Sequence, residues 1–340
     1  MTSEPAIAVS VLTGFLGSGK TTLLSRLLRQ PELSRAAVII NEFGEIGLDH
    51  ELVAASDDTV VALTTGCLCC KVRSDLTETL HDLLRRRDAG TLPQEFDHIV
   101  IETSGLADPA PILQTLMTDA TVGGRMVLDG VVTTVDAVNG AATLARETIS
   151  VKQVAVADRL VVTKSDLLDA AQPALLGRLA ALNAGAPVLQ AQHGAIDPQR
   201  LFDVGPYDPR NKPLDVCAWL GEEDHGHGRH DAEIQTYAIV RTEPIQAVTL
   251  TLLLETLAEH CGADLLRLKG IVKIAESPDR PAVIHGVQHV FHAPTFLPRW
   301  PSDDRRSRIV VITRGIPQAW IEALIDALDV EVAEVSAPVD

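Results

Sequence analysis

Short, continuous runs of apolar and β-branched residues punctuate the first two hundred positions. They are AIAVSVL (6–12), AAVIIN (36–41), TVVAL (59–63), HIVIE (98–102), MVLDGVVTTVD (126–136) and RLVVT (159–163). Unbroken rather than alternating hydrophobicity predicts strands covered on both faces, as in a parallel sheet. Helical spacing appears between them. Leu23, Leu24, Leu27 and Leu28 share one face of a helix opening near Lys20, and Leu76, Leu80, Leu83 and Leu84 share one within 73–87. Strands alternating with helices imply βαβ units, helices on both sides of the sheet, and ligands at the carboxyl ends of the strands.

The pattern changes after residue 203. VGPYDPRNKP is rich in turn formers, and EEDHGHGRHD (222–231) is polar and dense in histidine. A second pattern follows: strand 233–242, helix 245–260, strands near 265–275 and 282–291, strand 308–314 and helix 317–328. These describe a smaller α/β sandwich. The expected division is 1–203, a linker over 204–231, and 232–340.

The bulk numbers agree. A chain of 340 residues, 46% hydrophobic, suits two domains with real cores. A formal net charge of −17 leaves no broad basic face, so neither nucleic acid nor an anionic membrane is an expected partner. MTSEPAIAVSVLTGF lacks a basic start and leads into a glycine-rich loop rather than a cleavage site, and no apolar run approaches a membrane span. The cytoplasm is the expected location, where thiols stay reduced.

GFLGSGKT, Gly14 to Thr21, matches G-x-x-x-x-G-K-[ST] between a predicted strand and a predicted helix. Gly14, Gly17 and Gly19 let the backbone curl so that amides point at phosphate oxygens, and the helix N-terminus adds partial positive charge. Ser18 and Thr22 belong to the same expected phosphate contacts. Lys20 bridges the β- and γ-phosphates, and the Thr21 hydroxyl ligates Mg²⁺. Glu102, ending the run HIVIE, is placed to hold a Mg²⁺-bound water or to orient the attacking one. The Gly105 amide would meet the γ-phosphate. TKSD (163–166) follows a late strand. The Asp166 carboxylate would accept both the N1–H and N2–H₂ donors of guanine, with the Lys164 stem over the ring. Thr163 stands where the guanine motif ordinarily has Asn, which removes one side-chain amide. Guanine is the expected base and adenine the alternative.

TTGCLCCK (64–71) gathers three of the five cysteines. Adjacent Cys69 and Cys70 would form a disulfide only under strain, and redox pairs prefer two intervening residues. A following helix, Lys71 and Arg73 all favour thiolates. Three thiolates suit Zn²⁺, Co²⁺ or Cu⁺; buried small hydrophobes are the remaining reading. Cys217 and Cys261 are isolated and read as structural. His225, His227 and His230 are either a weak metal collector or a solvated linker. If 282–291 is one strand, His285 and His289 share a face and His292 opposes them.

NEFGEIGLDHELV (41–53), TTGCLCCKVRSDL (64–76) and ETSGLADPAPIL (102–113) follow the phosphate loop in that order, with LLRLKGIV (265–272) and IHGVQHVFH (284–292) later. With these the chain resembles the CobW-like GTPases, P-loop metallochaperones and metal-insertion factors. The resemblance implies slow GTP hydrolysis, binding of a transition metal, most often zinc, and its delivery to a client protein. It implies Cys67, Cys69 and Cys70 as metal ligands and Glu42 as a candidate fourth. Two other readings stand beside it: a P-loop kinase or ATPase whose cysteines hold a structural zinc, and a non-catalytic metal sensor or scaffold.

Overall fold

A seven-stranded sheet organises the first two hundred residues of the computed structural model, which describes residues 6–43, 60–65, 69–92, 96–168, 172–202 and 234–336; at 41–43, 60–65, 69–75 and 336 the description is of the backbone. Strands β1 (Ile7–Gly14), β2 (Ala36–Phe43), β3 (Val60–Thr65), β4 (His98–Thr103), β5 (Met126–Asp136), β6 (Arg159–Thr163) and β7 (Val188–Gln190) lie in the order β3-β2-β4-β1-β5-β6-β7. Every pairing is parallel. The central strand β1 is apolar on both faces because helices cover both.

Helix α1 (Lys20–Leu27) turns Leu23, Leu24 and Leu27 onto Leu12, Val38, Val100 and Val132. Helix α2 (Cys69–Asp88) buries Leu76, Leu80, Leu83 and Leu84. It begins four residues before the predicted start at 73, so Cys69 and Cys70 open the helix rather than precede it. The apolar period begins at its first buried leucine and cannot show a polar first turn. Helices α3 (Ala110–Thr118), α4 (Ala120–Arg125), α5 (Gly140–Arg146), α6 (Thr148–Ala155) and α7 (Pro173–Leu182) complete this part. A parallel sheet sends every strand's carboxyl end to one edge. The ends of β2 and β3 and the loops after β1, β4, β5 and β6, which hold most of the candidate residues, therefore lie along that edge.

The later residues form an antiparallel sheet. Strands β8 (Ile234–Arg241), β9 (Leu265–Ile274), β10 (Ser277–Val287), β11 (Val290–Phe291) and β13 (Ser307–Arg314) run in the order β11-β10-β9-β13-β8, and β12 (Thr295–Phe296) pairs with β10. Helices α8 (Ala247–Cys261) and α9 (Gln318–Ser336) pack Leu250, Leu253, Leu257, Ile321 and Ile325 against Ile239, Leu268, Ile284 and Val311. On its other face Leu297 and Trp300 cover Ile271, Val283 and Val310. The predicted single strand 282–291 is a hairpin. Gln288 takes a φ of 53°, Val287 pairs with Val290, and the chain reverses. This corrects the histidine pattern. The rings of His285 and His292 face one another at 5.5 Å, while His289 Nδ1 donates to the Ala258 carbonyl at 3.0 Å. Contacts divide the chain into Met1–Leu179 with Ala186–Pro206, and Ala180–Gly185 with Tyr207–Asp340.

Candidate nucleotide and metal site

The loop after β1 curls through three positive φ angles, 141° at Gly14, 71° at Gly17 and 89° at Gly19. At Gly14 close approach adds to conformation: a Cβ there would lie 2.5 Å from the Thr134 carbonyl oxygen. Ser18 Oγ lies 2.6 Å from Thr134 Oγ1, and Thr163 Oγ1 donates to the Ser18 carbonyl at 2.7 Å. The Thr163 hydroxyl thus ties the end of β6 to the glycine-rich loop after β1. Lys20 is buried, and its ammonium donates to the Gly14 carbonyl at 2.9 Å and to that of Phe15 at 3.4 Å. No side chain caps α1, and its first turn holds no acid. Its amides and partial positive charge remain available to an anion.

Thr21 Oγ1 donates to Glu102 Oε1 at 2.9 Å. Glu102 is 5% exposed at the end of β4, and its neighbour Thr103 donates to Thr13 Oγ1 at 2.8 Å. Gly105 lies against the phosphate loop itself: a Cβ there would sit 2.7 Å from Leu16 N and 2.8 Å from Leu16 Cα. Lys20, Thr21, Glu102 and Gly105 are therefore one cluster, drawn from two adjacent strand ends.

On the other side, Lys164 takes a φ of 58° and donates to the Gly17 carbonyl at 2.6 Å and to Asp136 Oδ2 at 2.8 Å. Asp136 also accepts from Val138 N at 2.7 Å and from Asn139 Nδ2 at 3.1 Å. Burial pushes its carboxyl up, but the Lys164 ammonium and the Asn139 and Val138 donors outweigh that and hold it below the ordinary value. Asp166 accepts from the His193 amide at 3.1 Å and lies 3.1 Å from His193 Nδ1; the amide bond above all holds its carboxyl low. A cavity of about 250 Å³ adjoins the loop between Leu16, Gly17, Asp136, Asn139, Thr143 and Lys164. Asp136, which holds Lys164, and His193, which holds Asp166, belong to no motif. The one signal for Asp136 was its place: it ends an apolar run, as Glu102 does. His193 stands before Gly194 in the loop after the last strand, a weak cue.

The metal candidates are placed only in part. Glu42 lies in β2, in register with Thr64, while Ile40 is in register with Glu102. The end of β2 therefore lies between the end of β3, which leads toward Cys69 and Cys70, and the end of β4. Cys67, Cys217, His225, His227 and His230 lie outside the described residues. Among the described residues no group of three or more His, Cys, Asp or Glu is arranged to hold a metal ion, and no helix is long and apolar enough to cross a membrane. Cys261 is buried, and burial, with Asp264 nearby, pushes its thiol up.

Comparison with known proteins supplies the family. Residues 8–190 match the model described as CobW/HypB/UreG, nucleotide-binding domain, and residues 234–329 match the cobalamin synthesis protein cobW C-terminal domain. The chain is 35% identical over 322 residues to the zinc chaperone YjiA of Escherichia coli, covering 95% of this chain and 98% of that protein. It is 30% identical over 366 residues to the zinc chaperone CobW of a Sinorhizobium species, covering 96% and 98%. A 215-residue stretch, 60% of this chain, is 33% identical to the zinc-regulated GTPase metalloprotein activator 1 of Schizosaccharomyces pombe, covering 51% of it. The crystal structure of Zn(II)-bound YjiA GTPase superimposes with a TM-score of 0.68 at 29% identity, over 95% of this chain and 99% of that one. The chain belongs to the CobW/HypB/UreG nucleotide-binding family and carries the CobW C-terminal domain behind it.

Proposed function

We propose that this chain hydrolyses GTP to control a transition metal, zinc above others, which it binds and passes to a client protein. Residues 1–203 form the GTPase domain in this reading, and 204–231 link it to the domain over 232–340. The carrying observation is the Thr21–Glu102 bond of 2.9 Å, at a strand end next to the one that carries Glu42.

Lys20 and the loop amides, with Ser18 and Thr22, bind and orient the phosphates. Thr21 and Glu102 offer the hard oxygen donors that fit Mg²⁺, directly or through water, and the ion supplies neutralisation of charge on the terminal phosphates. Glu102 orients the attacking water by accepting its hydrogen bond, and the Gly105 amide meets the γ-phosphate. Asp166 accepts from the guanine edge. Cys67, Cys69 and Cys70 hold the cargo metal as thiolates, with Glu42 as the fourth ligand. Because Glu42 and Glu102 stand on adjacent strands, nucleotide state and metal coordination bias one another, and the coupling runs both ways. The relatives named as zinc chaperones and as GTPases support this reading.

The test is an equilibrium Zn²⁺ titration of the reduced protein with GDP and with a non-hydrolysable GTP analogue, repeated on Cys69→Ser. Nucleotide-dependent affinity is expected in the wild type. Loss of tight zinc binding, with GTP binding intact, is expected in the variant. Equal zinc affinity in both nucleotide states would remove the coupling.

A further inference from the structure

Helix α6 supplies none of the groups that bind nucleotide in the reading above, yet it grips a loop that does. Gln153 is 0% exposed. Its Nε2 donates to the Gly105 carbonyl at 3.2 Å and to the Ala107 carbonyl at 3.1 Å. One residue earlier, Lys152 Nζ meets Asp108 Oδ2 at 2.7 Å. The loop closes on itself where the Ala107 amide donates to the Ser104 carbonyl at 3.0 Å. On its far side Gly105 presses on the backbone of Leu16. The turn over 104–108 is thus held between α6 and the phosphate loop. Helix α6 is anchored in its turn, since Thr133 Oγ1 donates to the Gln153 carbonyl at 2.8 Å.

The chemistry at Gln153 is specific. Two carbonyls converge on one end of its amide, so that end is the nitrogen; an oxygen there would face two acceptors. The other end, Oε1, is buried without a donor among the described residues. An unmatched buried acceptor is costly, and an apolar side chain of the same length would fill the space without it. The two donor bonds to the turn are what a glutamine adds at this place.

We propose that Gln153, seconded by Lys152, is a positioning residue for GTP hydrolysis. It holds the 104–108 turn against the phosphate loop, so that the Gly105 amide and the Glu102 carboxylate face the terminal phosphate. This rests on the nucleotide reading given above. It also makes Gln153 a determinant of GTP over GDP, because GDP has no γ-phosphate for the turn to meet.

Gln153→Met keeps the length and removes both donors. The experiment measures affinity for GDP and for a non-hydrolysable GTP analogue by fluorescence titration, and kcat by single-turnover hydrolysis. A fall of about tenfold in kcat and in the GTP-over-GDP preference is expected, with GDP affinity held within about twofold. Lys152→Met should move the same quantities by about threefold. An unchanged kcat and preference in the folded variant would overturn the proposal. So would a parallel loss of GDP and GTP affinity, which is what a merely structural role produces. Should Gln153→Met not fold, the Lys152→Met split decides, because that ion pair is only partly buried. A wild type that binds no GTP would overturn the nucleotide reading instead. A wild type that hydrolyses GTP, with silent Gln153 and Lys152 variants, would overturn this inference alone.

Discussion

Buried polar clusters stand toward both ends of the parallel sheet, and they are built differently. Toward the amino ends, Ser10 Oγ donates to Asp129 Oδ2 at 3.0 Å and lies 2.9 Å from His98 Nε2. Asp158 Oδ2 accepts from the Val131 amide at 2.9 Å, and the His98 ring meets Phe202 edge-on at 5.1 Å. Ser10, His98 and Asp129 sit on strands, Asp158 just before one, and their polar atoms meet one another and the sheet backbone. Toward the carboxyl ends, the Lys20 and Lys164 ammoniums reach the carbonyls of one glycine-rich loop, beside a helix N-terminus with no side-chain cap. A closed cluster stabilises a fold and offers nothing to a ligand. Cations resting in part on neutral carbonyls, beside uncapped amides, can exchange those contacts for phosphate at little cost.

The largest effect that would sharpen this contrast is at the carboxyl end. Lys20→Ala should lower GTP affinity by about a hundredfold or more, by the loss of charge-assisted bonds to phosphate. Its thermal midpoint should move little; a midpoint collapse with GTP binding retained would break the contrast. Next comes the amino end. Ser10→Ala removes a buried hydroxyl between His98 and Asp129 and should cost about 1–3 kcal/mol in urea denaturation. Nucleotide affinity in that variant should stay within about twofold, since the cluster feeds no ligand group. The smallest effect is a pH dependence. Burial lowers the His98 pKa although Asp129 and Asp97 favour the charged form. The unfolded chain then binds more protons than the native one between the folded value and about 6.5, so stability falls as pH drops through that window. The wild type should lose stability between neutral pH and the window's lower edge more than His98→Gln does, and paired thermal melts read the difference.

Much of the phosphate half was legible because its chemistry is local. A glycine-rich loop between an apolar strand and a leucine-faced helix can be read in one line of sequence, and Lys20, Thr21 and Glu102 came with it. Asp136 and His193 were not legible, because their roles exist only where strand ends converge. The same limit acts in the antiparallel sheet. Periodicity saw one strand over 282–291, but a two-residue reversal at Gln288 and His289 brings His285 opposite His292. A period of two says which residues alternate, and nothing about where the strand folds back. The start of α2 was missed for a related reason: its first turn carries thiols and charges, and no apolar period reaches it.

By itself the sequence determined the class of fold, the parallel character of the first sheet, the phosphate loop and the concentration of thiols after the third strand. These follow from hydrophobic runs, glycine spacing and residue chemistry within short windows. Only the tertiary structure decided that Thr163 ties the end of β6 to the glycine-rich loop, that Asp136 holds Lys164, and that Gln153 holds the turn bearing Gly105. The separations along the chain are 145, 28 and 48 residues. Contacts of that range are set by strand order and register, which depend on how the whole apolar surface is buried at once.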